Sequence, residues 1–558
     1  MRRAGNITIR KMKGEFLMKK QIYNPYLPLG ECVPDGEPHQ FGDRVYIFGS
    51  HDKEGGETFC MLDYVTYSAP VDDLTDWRYE GVIYKASQDP LFGQPLVSVK
   101  LAGGNADEGS FEKVYKHMYA PDVVQGNDGK YYLYYCMSSD FGVGGYTCPI
   151  SVAVADTPAG PYSFLGVVQN PDGTPMLRYV CFDPAVINDS GTIRLYYGTQ
   201  YDFEERPDFT PDSDYVKAEM DMFGRTKEEI LSYPDSIMGP VTVTLKEDML
   251  TIADEPRHVI PYRVKGTTFE EHPFFEASSM RKVGEKYYFV YSSRQNHELC
   301  YAVSDFPDRD FVFGGTIVSN GDVGYRGRTE RLNMTGTTHG SIIELNGQWY
   351  VFYHRLTHKS DYSRQACAEK IEILPDGSIP QVEITSCGMN PGPLEGKGVY
   401  PAAICCNLTN GHMPHGCNSI YKESFPNVTH RTFRAEGNVA LAPGATEEML
   451  NGQRMVTERF VGEICDGTLI GYKYFNLQGV MKLILKAALE DAGTGCFTLK
   501  TAIDKETLGS AVLKADKPCR DGEWQTVEIE ARIPDGISPI YLTYAGDARA
   551  RLLTLELV

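Results

Sequence analysis

One strand pattern recurs five times in this chain, and that repetition limits the folds open to it more than any other feature. The copies are GDRVYIFGSHD (42–52), DGKYYLYYCMSS (128–139), SGTIRLYYGTQ (190–200), GEKYYFVYSSRQ (284–295) and NGQWYVFYHRL (346–356). Each alternates aromatic and aliphatic residues after a tight polar turn, and the DG, SG and NG turns accommodate the positive φ of short hairpin loops. Aligned, they put Tyr46, Tyr132, Arg194, Tyr288 and Tyr350 in one column, at spacings of 86, 62, 94 and 62 residues. A second strand of small residues, closed by a polar-proline turn and an aromatic, follows three of them: VTYSAPVDDLTDW, ISVAVADTPAGPY and LCYAVSDFPDRDF. Repeated meanders of short strands predict propeller blades, and five matched units argue against a mere series of sandwich hairpins. The longer spacings predict insertions at 86–118 and 203–256, the latter with short helical pieces near KAEMDMF and RTKEEILSY.

Just upstream of each copy stands a polar residue at a comparable position: Asp35, Asp122, Asp183, Glu276 and His339. They precede the aligned column by 11, 10, 11, 12 and 11 residues. The innermost strand of every blade lines the central channel, so equivalent positions converge on one axis. A single Asp before proline suits a turn. Four carboxylates and a histidine on one axis are costly to desolvate unless they have partners or a task. Glycoside hydrolysis has a use for such a set: one carboxylic acid protonates the leaving oxygen and one carboxylate activates water or attacks. Crowding like charges raises one pKa and keeps that acid protonated near neutrality.

Charge narrows the partners. With 54 basic against 75 acidic residues the net charge is −21, which argues against nucleic acid and anionic membranes. A small neutral oligosaccharide fits that balance; so does acidity that serves solubility alone. The 14 cysteines are scattered without CxxC pairs, which suits buried thiols in a reducing compartment. The basic start MRRAGNITIRKMKGEFLMKK lacks the apolar stretch of a secretory signal, and Met18 opens MKKQIYNPYLP. No apolar run approaches the roughly 20 residues of a membrane span. The expectations are a tail over 1–21, a cytoplasmic location and no membrane partner.

NPYLPLGECVPDGEPHQFGDRVYIFGSHD, YAPDVV, FDPAVI, EASS and HGSIIELNGQWYVFYHR, in this order, resemble glycoside hydrolase family 43 over roughly residues 22–385. The resemblance implies a five-bladed β-propeller over 22–390 and an inverting mechanism on β-D-xylosides or α-L-arabinofuranosides. Asp35 matches the family's general base and Glu276 its general acid. Asp183 matches the carboxylate that tunes and orients the acid. Asp122 matches a channel-lining position, and Arg364 in YSRQACAEKIEI resembles a substrate-contacting arginine, although an edge-strand ion pair explains an arginine there as well. His339 resembles the axial histidine that, with waters, holds calcium in many members; a satisfied polar core group is the alternative. An inverting pair is expected about 6.5–9.5 Å apart. PDGEPHQF departs from the usual Asp-Pro followed by small residues, so the sugar-facing wall is expected to differ, with His39, Phe41, His51 and Asp52 as candidate lining residues.

From about Gly396 the aromatic pattern stops. GTLIGYKYFNLQG, KLILKAALE, GCFTLKTAID, EWQTVEIEARI, SPIYLTYAG and RLLTLELV read as six strands of an antiparallel β-sandwich over 396–558. This region is similar to a family 6 carbohydrate-binding module, which permits sugar binding; a sandwich that only buttresses the propeller fits the same pattern. The fold class is therefore all-β. The function that follows is an exo-acting α-L-arabinofuranosidase or β-xylosidase trimming hemicellulose-derived oligosaccharides from xylan degradation. Two alternatives are a five-bladed relative acting on another glycoside and an inactive carbohydrate-binding protein. The first lacks the WMNDPNG-like opening of the fructan-cleaving group; the second has no need of Asp35, Asp183 and Glu276 together.

Overall fold

The computed structural model describes residues 20–97, 112–201, 214–233, 236–416, 418–430, 458–520 and 522–558. The expected tail therefore lies outside the described residues except for its last two positions.

Among the described residues up to Ile371, the strands form five antiparallel sheets. They are β1–β4 (Glu37–Phe41, Arg44–Phe48, Tyr64–Pro70, Arg78–Tyr84), β5–β8 (His117–Gln125, Tyr131–Ser138, Ser151–Ala155, Ser163–Val167), β9–β12 (Ala185–Asp189, Thr192–Tyr197, Val241–Leu245, Arg257–His258), β13–β16 (Phe274–Val283, Lys286–Ser293, Glu298–Ser304, Val312–Ser319) and β17–β19 (Ile342–Leu345, Gln348–Thr357, Ser360–Ile371). The first strand of each sheet is innermost. β1 lies against β5 and β17, and β9 lies against β5 and β13, so the inner strands ring one axis. The last sheet has three strands, and the chain start completes it: Tyr26 N donates to Ala366 O at 3.2 Å and Asn24 Nδ2 to Ala368 O at 2.8 Å. This overlap of chain start and last blade closes the propeller.

The second strands read as near-continuous apolar runs because each is covered on both faces by neighbouring blades. In β6, β10 and β14 every residue after the first is buried. All five residues of the aligned column are buried, Arg194 included. The insertion expected over 203–256 ends before Val241, where β11 of the third blade begins; ahead of it stand α1 (Asp214–Phe223) and α2 (Lys227–Leu231), the latter capped by Thr226, whose hydroxyl accepts from Glu229 N at 3.2 Å. Phe223 and Ile230 bury into the core around Tyr146, which the insertion thereby supports from behind.

Among the described residues, the C-terminal third is a sandwich of two six-stranded sheets. One contains Leu394–Glu395, Asn407–Thr409, Leu469–Leu477, Gly493–Lys500, Gly509–Ala515 and Gly536–Gly546; the other contains Gly398–Pro401, Asn427–His430, Arg459–Ile464, Lys482–Leu489, Gln525–Glu530 and Ala550–Leu557. The six strands read from the sequence are all present. The six others were missed because most are only two to four residues long, and GSAVLKA over 509–515 is built from small residues. The sandwich begins at Leu394, two residues before the expected boundary. Buried Lys473 ties it to the propeller, its ammonium meeting Asp322 at 3.1 Å and Glu383 at 2.9 Å.

Candidate active site

The inner strands are entered through strained backbone. Asp35 has φ 59°, Asp183 φ 45°, Ala120 φ 26° and Ala277 φ 67°, each where the chain turns into or bulges along an inner strand. Left-handed conformations at non-glycine residues persist where surrounding structure enforces them, and they re-aim side chains. Here they bring Asp35, Asp183, Glu276 and His339 to a single pocket at one end of the axis, together with Arg364. Its wall is aromatic, from Phe59, Phe141, Tyr146, Phe182, Tyr201 and Phe275.

Arg364, on β19, divides its guanidinium between two aspartates. Nη1 donates to both Asp35 oxygens at 2.8 and 3.1 Å, while Nε and Nη2 donate to Asp52 at 2.8 and 3.0 Å. Phe59 covers the guanidinium face at 4.7 Å from its ring centroid. Burial alone would raise the Asp35 pKa, but Arg364, His339, His354 and a hydrogen bond from Ser50 hold it below the usual carboxylate range. Asp35 is therefore ionised at neutral pH. Asp52 is fully buried with its charge spent on Arg364 and the Cys60 amide, so it anchors the arginine and does not line the pocket.

Glu276 sits on β13 at a bulge, with pairing irregular on both sides of it. Burial first, and then the negative charge of Asp35, push its pKa up to about 8 against the opposing pull of Arg364. Asp183 is raised as well, by burial and by Glu276 and Asp35. It accepts a hydrogen bond from the Ala277 amide at 3.2 Å, which pins the backbone directly after Glu276. A carboxyl pair that keeps a proton near pH 7 thus faces an aspartate that does not.

Four sequence-derived positions, Asp122, His39, Phe41 and His51, stand elsewhere. Asp122 does not reach the pocket: it is fully buried, its oxygens accept from Val123 N and Val186 N, each at 2.7 Å, and His39 Nε2 lies 2.6 Å away. It clamps three blades together and offers a sugar nothing. His39, with Phe41, faces a separate cavity at the other end of the inner strands, beside Arg281 and Lys282. The β5 bulge between Tyr119 and Asp122 explains the misplacement. Ala120 occupies the strained position in that blade, and Asp122, two residues on, falls one layer deeper. His51 is likewise buried away from the pocket, with Nε2 3.1 Å from Glu31 and Nδ1 2.7 Å from Asp63 O.

That deeper layer holds a residue the sequence analysis passed over. Glu37, two residues after Asp35, takes Arg281 Nη2 at 2.6 Å and Ser279 Oγ at 3.1 Å on Oε2. Burial raises its pKa to about 7. Strand alternation, which turns residues 35 and 37 to the same face, was the available signal. Glu37 Oε1 is buried without a hydrogen-bond partner among the described residues and lies 4.0 Å from His339 Nε2. His339 Nδ1 is 3.7 Å from Asp183 and 4.0 Å from Asp35. The unmatched carboxylate oxygen beside His339 fits a hard cation that completes its shell with water, although Arg281 already supplies positive charge on the other oxygen.

An ionised aspartate, a protonated glutamic acid and a pocket walled by rings at the axis of a propeller define a glycoside hydrolase. Residues 72–379 match the sequence profile of Glycosyl hydrolases family 43. A xylosidase/arabinosidase of Thermoclostridium stercorarium is 39% identical over 549 residues, covering 97% of this chain and 99% of that protein. A xylosidase/arabinosidase of Bacteroides ovatus is 30% identical over 347 residues, covering 59% of this chain and 87% of that one. Among solved structures, a family 43 β-xylosidase/α-arabinofuranosidase from a compost metagenome, in complex with xylotriose and described as a calcium-free form, aligns with TM-score 0.45 at 24% identity, over 64% of this chain and 97% of its own. The chain belongs to glycosyl hydrolase family 43.

Proposed function

We propose that this glycosidase releases terminal α-L-arabinofuranose or β-D-xylose from short hemicellulose-derived oligosaccharides with inversion at the anomeric carbon. The observation that carries this is the opposite poise of two carboxylates in one pocket: Arg364 holds Asp35 ionised, while burial and the Asp35 charge keep Glu276 protonated against the pull of Arg364. In the reaction, Asp35 takes a proton from water as the water oxygen bonds to the anomeric carbon. Glu276 gives its proton to the departing glycosidic oxygen as that bond breaks. Asp183 fixes the backbone after Glu276 and shares its charge environment. The aromatic wall lowers the local dielectric and strengthens both effects.

The names of the relatives support the pentose assignment, and Asp35, Asp183 and Glu276 together favour hydrolysis over binding alone. A cytoplasmic location is supported by the 13 free cysteines among the described residues. We assign His339 and Glu37 as the residues that would hold calcium, which when bound would supply positive charge behind the carboxylates. Calorimetric titration of calcium into chelator-treated protein checks this; absence of heat would refute it.

The test of the main proposal is turnover of aryl α-L-arabinofuranoside, β-D-xyloside, β-D-fructoside and β-D-mannoside by wild type and Asp35→Asn. Turnover confined to the pentosides and abolished by Asp35→Asn is the expected result. Preference for a hexoside, or activity surviving Asp35→Asn, would overturn it.

A further inference from the structure

The catalytic pocket is not built from the propeller alone. Asn418 is among its lining residues, and it lies between sandwich strands Asn407–Thr409 and Asn427–His430, each in a different sheet of that domain. The described residues of the connection between these strands leave the sandwich and lie across the propeller face. It is held there from two sides. Towards the segment carrying Thr337 and His339, Thr335 N donates to Pro414 O at 3.1 Å and Gly416 N donates to Thr335 O at 3.2 Å. Towards the start of β19, Asp361 N donates to Ser419 O at 3.1 Å, Ser419 N to Asp361 Oδ2 at 3.0 Å, and Tyr421 N to Lys359 O at 2.9 Å. Met334, Met413 and Phe425 pack beneath it as a small core shared by both domains.

Asn418 therefore stands between the wall that presents His339 and the strand that presents Arg364. It does so with φ 60°, a conformation that asparagine tolerates and glycine adopts freely. A carboxamide carries two N–H donors and an acceptor oxygen, so it can bond a sugar hydroxyl in addition to its contacts within the protein, in a pocket that also presents Thr337, Thr338, His339 and Arg364.

We propose that Asn418 is a substrate-contacting residue that hydrogen-bonds a hydroxyl of the bound pentose, which makes the sandwich domain an integral wall of the active site. This rests on the pentoside reading above and adds to it the domain that completes the sugar subsite.

The experiment compares wild type, Asn418→Gly and Asn418→Ala in the full-length chain. It measures kcat, KM, the unfolding midpoint, and inhibition of aryl pentoside hydrolysis by D-xylose and L-arabinose. Glycine removes the carboxamide and keeps the backbone unstrained, so it isolates the contact from the turn. The proposal predicts that both variants raise KM and the inhibition constant of the preferred pentose by about 3- to 10-fold, the loss of one hydrogen bond. The glycine variant keeps the wild-type unfolding midpoint and only alanine lowers it. Constants within twofold of wild type in Asn418→Gly overturn the proposal, whether or not alanine is impaired, because the residue then serves only the turn. Absence of pentoside turnover by wild type would instead refute the functional reading and leave the pocket wall without a pentose to contact.

Discussion

Replacing Glu276 by glutamine exchanges the acid for an amide that cannot give up a proton and keeps the volume, so it tests the acid assignment with little structural disturbance. With its pKa at about 8, roughly nine-tenths of Glu276 is protonated at pH 7; at the unshifted value of about 4.3 only about 0.2% would be. The pocket thus multiplies the population of competent acid by several hundred. General acids contribute about 10²–10⁴-fold, and the contribution shrinks as the leaving group becomes able to depart unprotonated. Glu276→Gln is accordingly expected to lose about 10²–10⁴-fold in kcat/KM on xylobiose or an arabino-oligosaccharide, but less than about tenfold on a 2,4-dinitrophenyl pentoside. The alkaline limb of the wild-type pH profile, expected near pH 8, should vanish for the activated substrate in the variant. Steady-state kinetics across a leaving-group series reads both effects. Equal loss on good and poor leaving groups, or an alkaline limb unmoved by the substitution, would refute the reasoning.

Removing the Arg364 charge as Arg364→Met leaves Asp35 without its main counter-ion; at an effective dielectric of about 20 the pair is worth about 4 kcal/mol at 4 Å. The acid limb of kcat/KM is then expected to climb by about 2–3 pH units, and an unmoved limb would contradict the arrangement. Asp122 holds three blades together, so Asp122→Ala is expected to cost about 2–4 kcal/mol of stability, since it leaves the Val123 and Val186 amides without acceptors. His39→Ala, facing the opposite cavity, should leave KM within about twofold; a large rise in KM would return His39 to the sugar site. Stability should also fall between pH 6.5 and 8. Glu276 and Glu369, raised to about 8, and Asp361, raised to about 7, bind more protons folded than unfolded in that range. Their contribution is complete below the unfolded pKa and is lost as pH rises through the folded values. Buried His354 and His358, lowered to about 3, oppose this only below pH 6.5. Thermal unfolding across that range checks the sign, and a rising midpoint would refute it.

Repetition made the blades legible. The tyrosine column, the hairpin turns and the inserted helices all follow from local chemistry that a single chain displays. The site was legible where position alone decides burial, at Asp35, Asp183, Glu276 and His339. It failed at Asp122, because a bulge shifts that strand by one residue and sequence spacing does not record bulges. Glu37 was within reach through strand alternation, but it was masked by the unusual PDGEPHQF. The aromatic wall and Asn418 were out of reach: they come from loops and from another domain, and only tertiary packing brings them to the pocket.

The division of labour between an ionised Asp35 and a protonated Glu276, with water between base and sugar, is tested most directly by the anomer that leaves first. Proton NMR during early hydrolysis of a β-D-xyloside, or of the arabinofuranoside if that is the substrate turned over, resolves the two anomers before mutarotation. The account predicts the inverted sugar, α-D-xylose from a β-xyloside. Initial release of the retained anomer would mean that a carboxylate attacks the sugar itself, and the roles assigned to Asp35 and Glu276 would be wrong.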